Sequence, residues 1–252
     1  MSIAILCAVL LALPLAATAA TYATGRNRGE SGVAALGPLR AARAFVHEWL
    51  ATAALLAVYP WRLPAAPSAA SRRAAIFVPE RYCSSATFWY VRHRLRKAGW
   101  EGGAGLDHTG HWHAATALAA IDAHIASLPA ETAIVMVGHG LGGHLALAYA
   151  AARPDLDIRQ VVTLGTPHQG STALPYRALG DGSPAMSTGA RRIDIVAIAS
   201  DFDAWLQPFE RAYHPDGFNI AISGVGHCAM LLSRRVSDLL VENLDAVPRP
   251  RT

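Results

Sequence analysis

Thr132-Ala133-Ile134-Val135-Met136-Val137-Gly138-His139-Gly140-Leu141-Gly142-Gly143 decides the fold. The run from Thr132 to Val137 is apolar and rich in β-branched residues, which reads as a buried strand. The glycines after it mark a sharp turn. From Leu141 to about Ala152 the chain reads as a helix, stopped before Pro154. Such a junction lifts the residue at its apex, Gly140, above the end of a sheet and beside a helix N-terminus.

The alternation continues on both sides. Ala74 to Val78 is a short buried strand, Pro79 to Ser85 a loop, and Thr87 to Ala98 a helix with Phe88, Val91 and Leu95 on one face, closed by Gly99. Glu101 to Gly110 is glycine-rich and carries only a weak strand. Trp112 to Leu128 is helical. Strands fall at 132–137, 160–164, 193–199 and 218–222, and a last helix covers about Met230 to Leu244. Strands alternating with helices imply an α/β fold with a mainly parallel sheet of about six strands, covered on both faces.

Ahead of this domain, expected over 74–252, the chain is apolar. Ser2 to Ala20 is long enough to span a bilayer, for which about 20 residues are needed. Ala17-Thr18-Ala19 also fits a cleavage site, although no basic residue precedes the apolar run. Arg26, Arg28, Arg40 and Arg43 follow it and favour an uncleaved anchor over a removed signal. In segment 21–73, a second apolar stretch from Ala44 to Trp61 holds His47 and Glu48, both expensive at bilayer depth. It fits a second span, an amphipathic helix on the membrane, or a helix packed on the domain; Trp49, Tyr59 and Trp61 suit an interface. Leu63 to Ser71 is a Pro/Ala/Ser-rich linker.

The composition narrows the partners. Hydrophobic residues make up 52% of the chain and mean hydropathy is +0.25, which points to membrane contact. The net charge of +4 comes from scattered arginines, with Lys97 the one lysine and no interleaved aromatics, so no nucleic-acid partner is expected. Cys7, Cys83 and Cys228 form no CxxC, which argues against structural zinc. Asp107, His108, His111 and His113 have a ligand-like pattern, but a glycine-rich loop entering a helix is the simpler account. No metal and no cofactor are expected.

Four segments, in order, resemble the small bacterial lipases and related membrane-anchored α/β-hydrolases. Gly138-His139-Gly140-Leu141-Gly142-Gly143 stands against the family's G-H-S-x-G-G. Val161-Val162-Thr163-Leu164-Gly165-Thr166-Pro167-His168-Gln169-Gly170 is close to its VTLGTPHxG. Ile198 to Asp203 sits where a strand delivers the acid, and Gly224-Val225-Gly226-His227 where the histidine precedes the last helix. The resemblance implies an α/β-hydrolase fold, His227 as base, Asp203 as orienting acid with Asp201 as the alternative, and Gly140 at the nucleophile position. It places the oxyanion region at Leu141 and in the loop at Pro79 and Glu80.

Two departures concern chemistry. Gly140 has no hydroxyl. The loop after the first strand, usually His-Gly in the family, is Pro79-Glu80-Arg81-Tyr82-Cys83; proline has no N–H to offer, and a glutamate disfavours a developing oxyanion. The expectation is therefore a membrane-associated, lipase- or esterase-like protein without ordinary serine-esterase activity, acting as a binding or regulatory pseudoenzyme toward a lipid or acyl-ester ligand. The alternative is an active hydrolase of acyl esters or lipids, in which His227 and Asp203 work with water or another nucleophile from Cys83, Ser84 or Ser85. His139 and His144 are expected to pack, and Ser171 to close its loop. The elbow residue is normally strained by about 1–3 kcal/mol, and glycine at 140 would relieve that strain.

Overall fold

The computed structural model describes residues 11–12, 14–20, 22–23, 37–61, 73–81, 83–102, 114–129, 132–171 and 193–245. Asp107, His108, His111 and His113, the linker Leu63 to Ser71 and the first part of the apolar leader lie outside the described residues. The elements are α1 (Pro38–Val58), β1 (Arg73–Val78), α2 (Trp89–Lys97), β2 (Glu101–Gly102), α3 (Ala114–Ala126), β3 (Ala133–His139), α4 (Leu141–Ala152), β4 (Ile158–Leu164), β5 (Asp194–Ser200), β6 (Phe218–Ile222) and α5 (Arg234–Asp245).

The strands form one sheet in the order β2-β1-β3-β4-β5-β6, and every pairing is parallel. Five strands carry the sheet; β2 contributes two residues at its edge, as the weak glycine-rich segment foreshadows. Successive side chains along a strand point to opposite faces. Phe77, Val135, Val137, Val162, Leu164, Val196 and Ile198 bury one face under α1, α2 and α5. Ile76, Val78, Ile134, Met136, Val161 and Ile195 bury the other under α3 and α4. Continuous apolar strands are what a sheet covered on both sides requires.

Two predicted helices are divided. The segment at Thr87 opens with a 3₁₀ turn, Ser85–Phe88, before α2. The last helix is a 3₁₀ turn, Cys228–Leu232, then α5, with Ser233 extended between them.

The second apolar stretch is a helix, α1, long and apolar enough by length and composition to cross a membrane. Here it packs on the domain through Ala44, Glu48, Ala51 and Leu55, so the third of the three readings describes this arrangement. Residues 14–20 are helical as well. Trp49 Nε1–H donates to the Leu11 carbonyl at 2.8 Å, and the Tyr22 hydroxyl donates to the Phe202 carbonyl at 2.8 Å. The Tyr22 ring sits between Phe45 and Phe202, tying the N-terminal segment to the loop after β5.

Candidate active site

The elbow is built as the glycines require. Gly140 joins β3 to α4 at φ 52° and ψ −126°, a backbone region hostile to side chains with a Cβ. Its N–H donates to the Leu164 carbonyl at 2.9 Å, fixing the turn to the neighbouring strand. A Cβ at Gly142 would overlap the carbonyl of Val78. That close approach sets the first turn of α4 against the end of β1 and brings Leu141 beside Glu80.

His227 and Asp203 arrive from the loops after β6 and β5. His227 Nδ1–H donates to Asp203 Oδ2 at 2.8 Å, and His227 is fully buried. The other Asp203 oxygen accepts from the Trp205 amide at 2.9 Å, which fixes the carboxylate plane. Asp201 faces away, accepting from the Ser223 hydroxyl and the Gly224 amide, so it orders the β6 loop instead. Trp205 lies flat on the imidazole, with ring centroids 4.7 Å apart and planes 5° apart. His139 packs 4.4 Å away by centroid and donates from Nε2 to the His227 carbonyl. Burial pushes His139 down to about 3, with His227 adding to that, so it is neutral.

Glu80 completes the group. It is 5% exposed, and its carboxylate points inward. Oε1 accepts from the Arg81 amide, and Oε2 accepts from the Leu141 amide at 3.0 Å. Oε2 also lies 3.8 Å from His227 Nε2. In the elbow architecture the amide after the nucleophile position is an oxyanion donor. Here that amide already holds an anion belonging to the chain.

The electrostatics follow from this enclosure. Burial opposes a charge on His227, but Asp203, through its charge and hydrogen bond, and then Glu80 outweigh it and push the imidazole up to about 10. His227 thus holds a second proton more tightly than an ordinary imidazole does, with a carboxylate on each ring nitrogen's side and an indole over one face. An imidazolium has no lone pair with which to take a proton.

The remaining candidates are held back by burial or by other partners. Burial, with Glu80 adding, pushes the Cys83 thiol up to about 12. Ser84 and Ser85 are buried. The Ser171 hydroxyl donates to the Trp205 carbonyl at 2.9 Å and accepts from the Gln207 amide, closing its loop as expected. His144 Nε2 donates to the Pro167 carbonyl at 3.1 Å. Among the described residues no group of three or more His, Cys, Asp or Glu is placed to hold a metal ion.

Glu48 was legible as costly but not as part of this neighbourhood. Its buried carboxylate accepts from the amides of Cys228, at 2.9 Å, and Ala229, at 2.8 Å, the two residues after His227. Trp205 carried no distinguishing pattern in the sequence.

No family profile and no curated protein matches the chain. Solved structures do. The esterase domain of a Rhodothermus marinus protein is 18% identical, with 70% of this chain and 86% of that one covered at a TM-score of 0.50. A metagenome-derived lipolytic enzyme is 15% identical, with 74% and 95% covered at 0.52. The type II thioesterase BorB of the borrelidin biosynthetic cluster is 17% identical, with 73% and 94% covered at 0.51. At such identities the likeness concerns architecture alone. The parallel sheet, the elbow and these neighbours together give the chain the α/β-hydrolase fold.

Proposed function

We propose that this chain is a membrane-associated, hydrolase-fold binding or regulatory protein that does not hydrolyse esters through an acyl-enzyme. The carrying observation is the Glu80 carboxylate on the Leu141 amide, beside a residue 140 that has no hydroxyl. Serine catalysis needs a nucleophile, a base and a vacant oxyanion donor. Gly140 removes the first, the charge on His227 the second and Glu80 the third. Loss of the nucleophile alone costs on the order of a millionfold in turnover in a serine hydrolase. The roles proposed for His227, Asp203, Gly140 and the Leu141, Pro79 and Glu80 region are therefore structural: an ionic lock in a hydrolase frame.

The same reading takes 74–252 as the hydrolase-like unit, 1–20 as an apolar anchor or signal, and 21–73 as the connecting segment. An acyl or lipid ligand is in keeping with the fold and with the apolar N-terminal region.

The His227–Asp203 hydrogen bond favours a second reading, in which the pair activates water on an acyl ester or lipid. Turnover of short-chain p-nitrophenyl esters by the full chain and by His227→Ala separates the two. The first reading expects no difference between them. Turnover that depends on His227 would establish the second.

A further inference from the structure

α1 is apolar on two sides and buries its one acidic residue. Its buried face carries Glu48, between Ala44, Ala51 and Leu55. Its outward face carries Leu39, Val46 and Leu50, seven and four residues apart and so on one side of a helix. Leu39 is 83% exposed, Leu50 48%, and Trp61 just beyond the helix 63%. A surface helix of a water-soluble domain keeps its apolar residues inward and polar residues outward; α1 buries Ala44, Ala51 and Leu55 and exposes Leu39, Val46 and Leu50 as well. Glu48 is the one acidic residue in α1, so the outward face bears no negative charge.

The flank of this stripe is basic. Arg40 and Arg43 are exposed on α1. A cavity of about 570 Å³ is lined by Leu50, Ala54, Val225 and Leu232 together with His47, Arg234 and Arg235. Arg234 approaches Asp238 at 3.6 Å, while remaining 80% exposed. Tyr59 and Trp61 close the helix with the aromatic side chains that favour a membrane–water boundary. Apolar stripe, basic flank and terminal aromatics together match one kind of partner, an anionic lipid surface.

We infer that α1 lies along an anionic bilayer with Leu39, Val46 and Leu50 in the lipid, and does not cross it. This rests on the membrane association proposed above and is independent of whether the site turns over. Crossing would require α1 to leave the domain, because its inward side is in contact from Ala44 to Leu55. It would strip Cys228 and Ala229 of their acceptor and carry Glu48 into hydrocarbon. Lying flat keeps both hydrogen bonds and still buries the outward stripe. It also couples the lipid surface to the site, since Glu48 holds the two residues after His227.

The test uses the full chain with Cys7, Cys83 and Cys228 replaced by alanine and an environment-sensitive fluorophore on Leu39→Cys, Val46→Cys, Leu50→Cys, Ala57→Cys or Asp216→Cys. Phosphatidylcholine vesicles with or without phosphatidylglycerol carry nitroxide quenchers at shallow or deep acyl positions. The first three probes should blue-shift and be quenched from the shallow position, with the Asp216→Cys probe in water. Arg43→Glu or Arg235→Glu should weaken partitioning to the anionic vesicles by about fivefold each. Deep quenching at position 50, with positions 39 and 57 on opposite sides, would show a span; it would overturn the inference and leave membrane association standing. Vesicle binding with every α1 probe in water, or shielding that follows dimer mass without lipid, would overturn it too. No vesicle binding at all would remove the membrane association along with it, leaving the ester-turnover result unaffected.

Discussion

The Glu80 carboxylate and the Leu141 amide meet at 3.0 Å, at the point where this fold offers its oxyanion donor. The same oxygen faces His227 Nε2 at 3.8 Å. One acidic side chain therefore engages both the amide and the imidazole nitrogen on which serine-hydrolase chemistry in this fold would depend.

His227 should be doubly protonated at neutral pH. Its folded value is about 10, against about 6.5 for an unperturbed histidine. A raised value favours the folded state fully below about pH 6.5, and this contribution shrinks as pH rises and is gone above about 10. Nitrogen NMR of the imidazole should show both ring nitrogens protonated at pH 7. The denaturation midpoint should fall from pH 7 to pH 10, and fall less in Glu80→Gln.

Gly140→Ser should destabilise the fold by about 1–3 kcal/mol, because φ 52° and ψ −126° suit glycine and strain a residue with a Cβ. Urea denaturation checks it; an unchanged midpoint would contradict the observed elbow geometry.

Glu48→Ala should cost about 2–4 kcal/mol, since it leaves the buried amides of Cys228 and Ala229 without their acceptor. Glu48→Gln keeps a carbonyl acceptor and should cost less. Amide exchange at Cys228 and Ala229 should quicken in the alanine variant before global unfolding.

Cys83 should be a poor nucleophile. With its thiol pushed up to about 12, a Cys7→Ala variant at pH 8 should react with a disulfide reagent on the order of a thousandfold more slowly than a free thiol. Rapid labelling at Cys83 would restore it as a candidate.

The sheet was legible because its strands are apolar on both faces and bounded by glycine and proline, and the elbow because Gly138, Gly140, Gly142 and Gly143 leave few backbone alternatives. The histidine and the choice of Asp203 over Asp201 came through the resemblance, and the structure brings that pair together. Three features were less accessible. The Glu80 contact depends on where a short loop folds back, which periodicity does not encode. Trp205 covers His227 through a loop of 3₁₀ and turn geometry. Glu48 looked costly in an apolar helix, yet its acceptors' partners lie 180 residues away; only the folded chain shows that the charge is turned inward.

Labelling by a fluorophosphonate probe tests the silent-site account most directly, across wild type, Gly140→Ser, Glu80→Ala and the double variant. The account predicts no adduct in the wild type or in Glu80→Ala, little in Gly140→Ser while Glu80 holds the Leu141 amide and the charge on His227, and a serine adduct at residue 140 in the double variant. A covalent adduct on any side chain of the wild-type protein would contradict it.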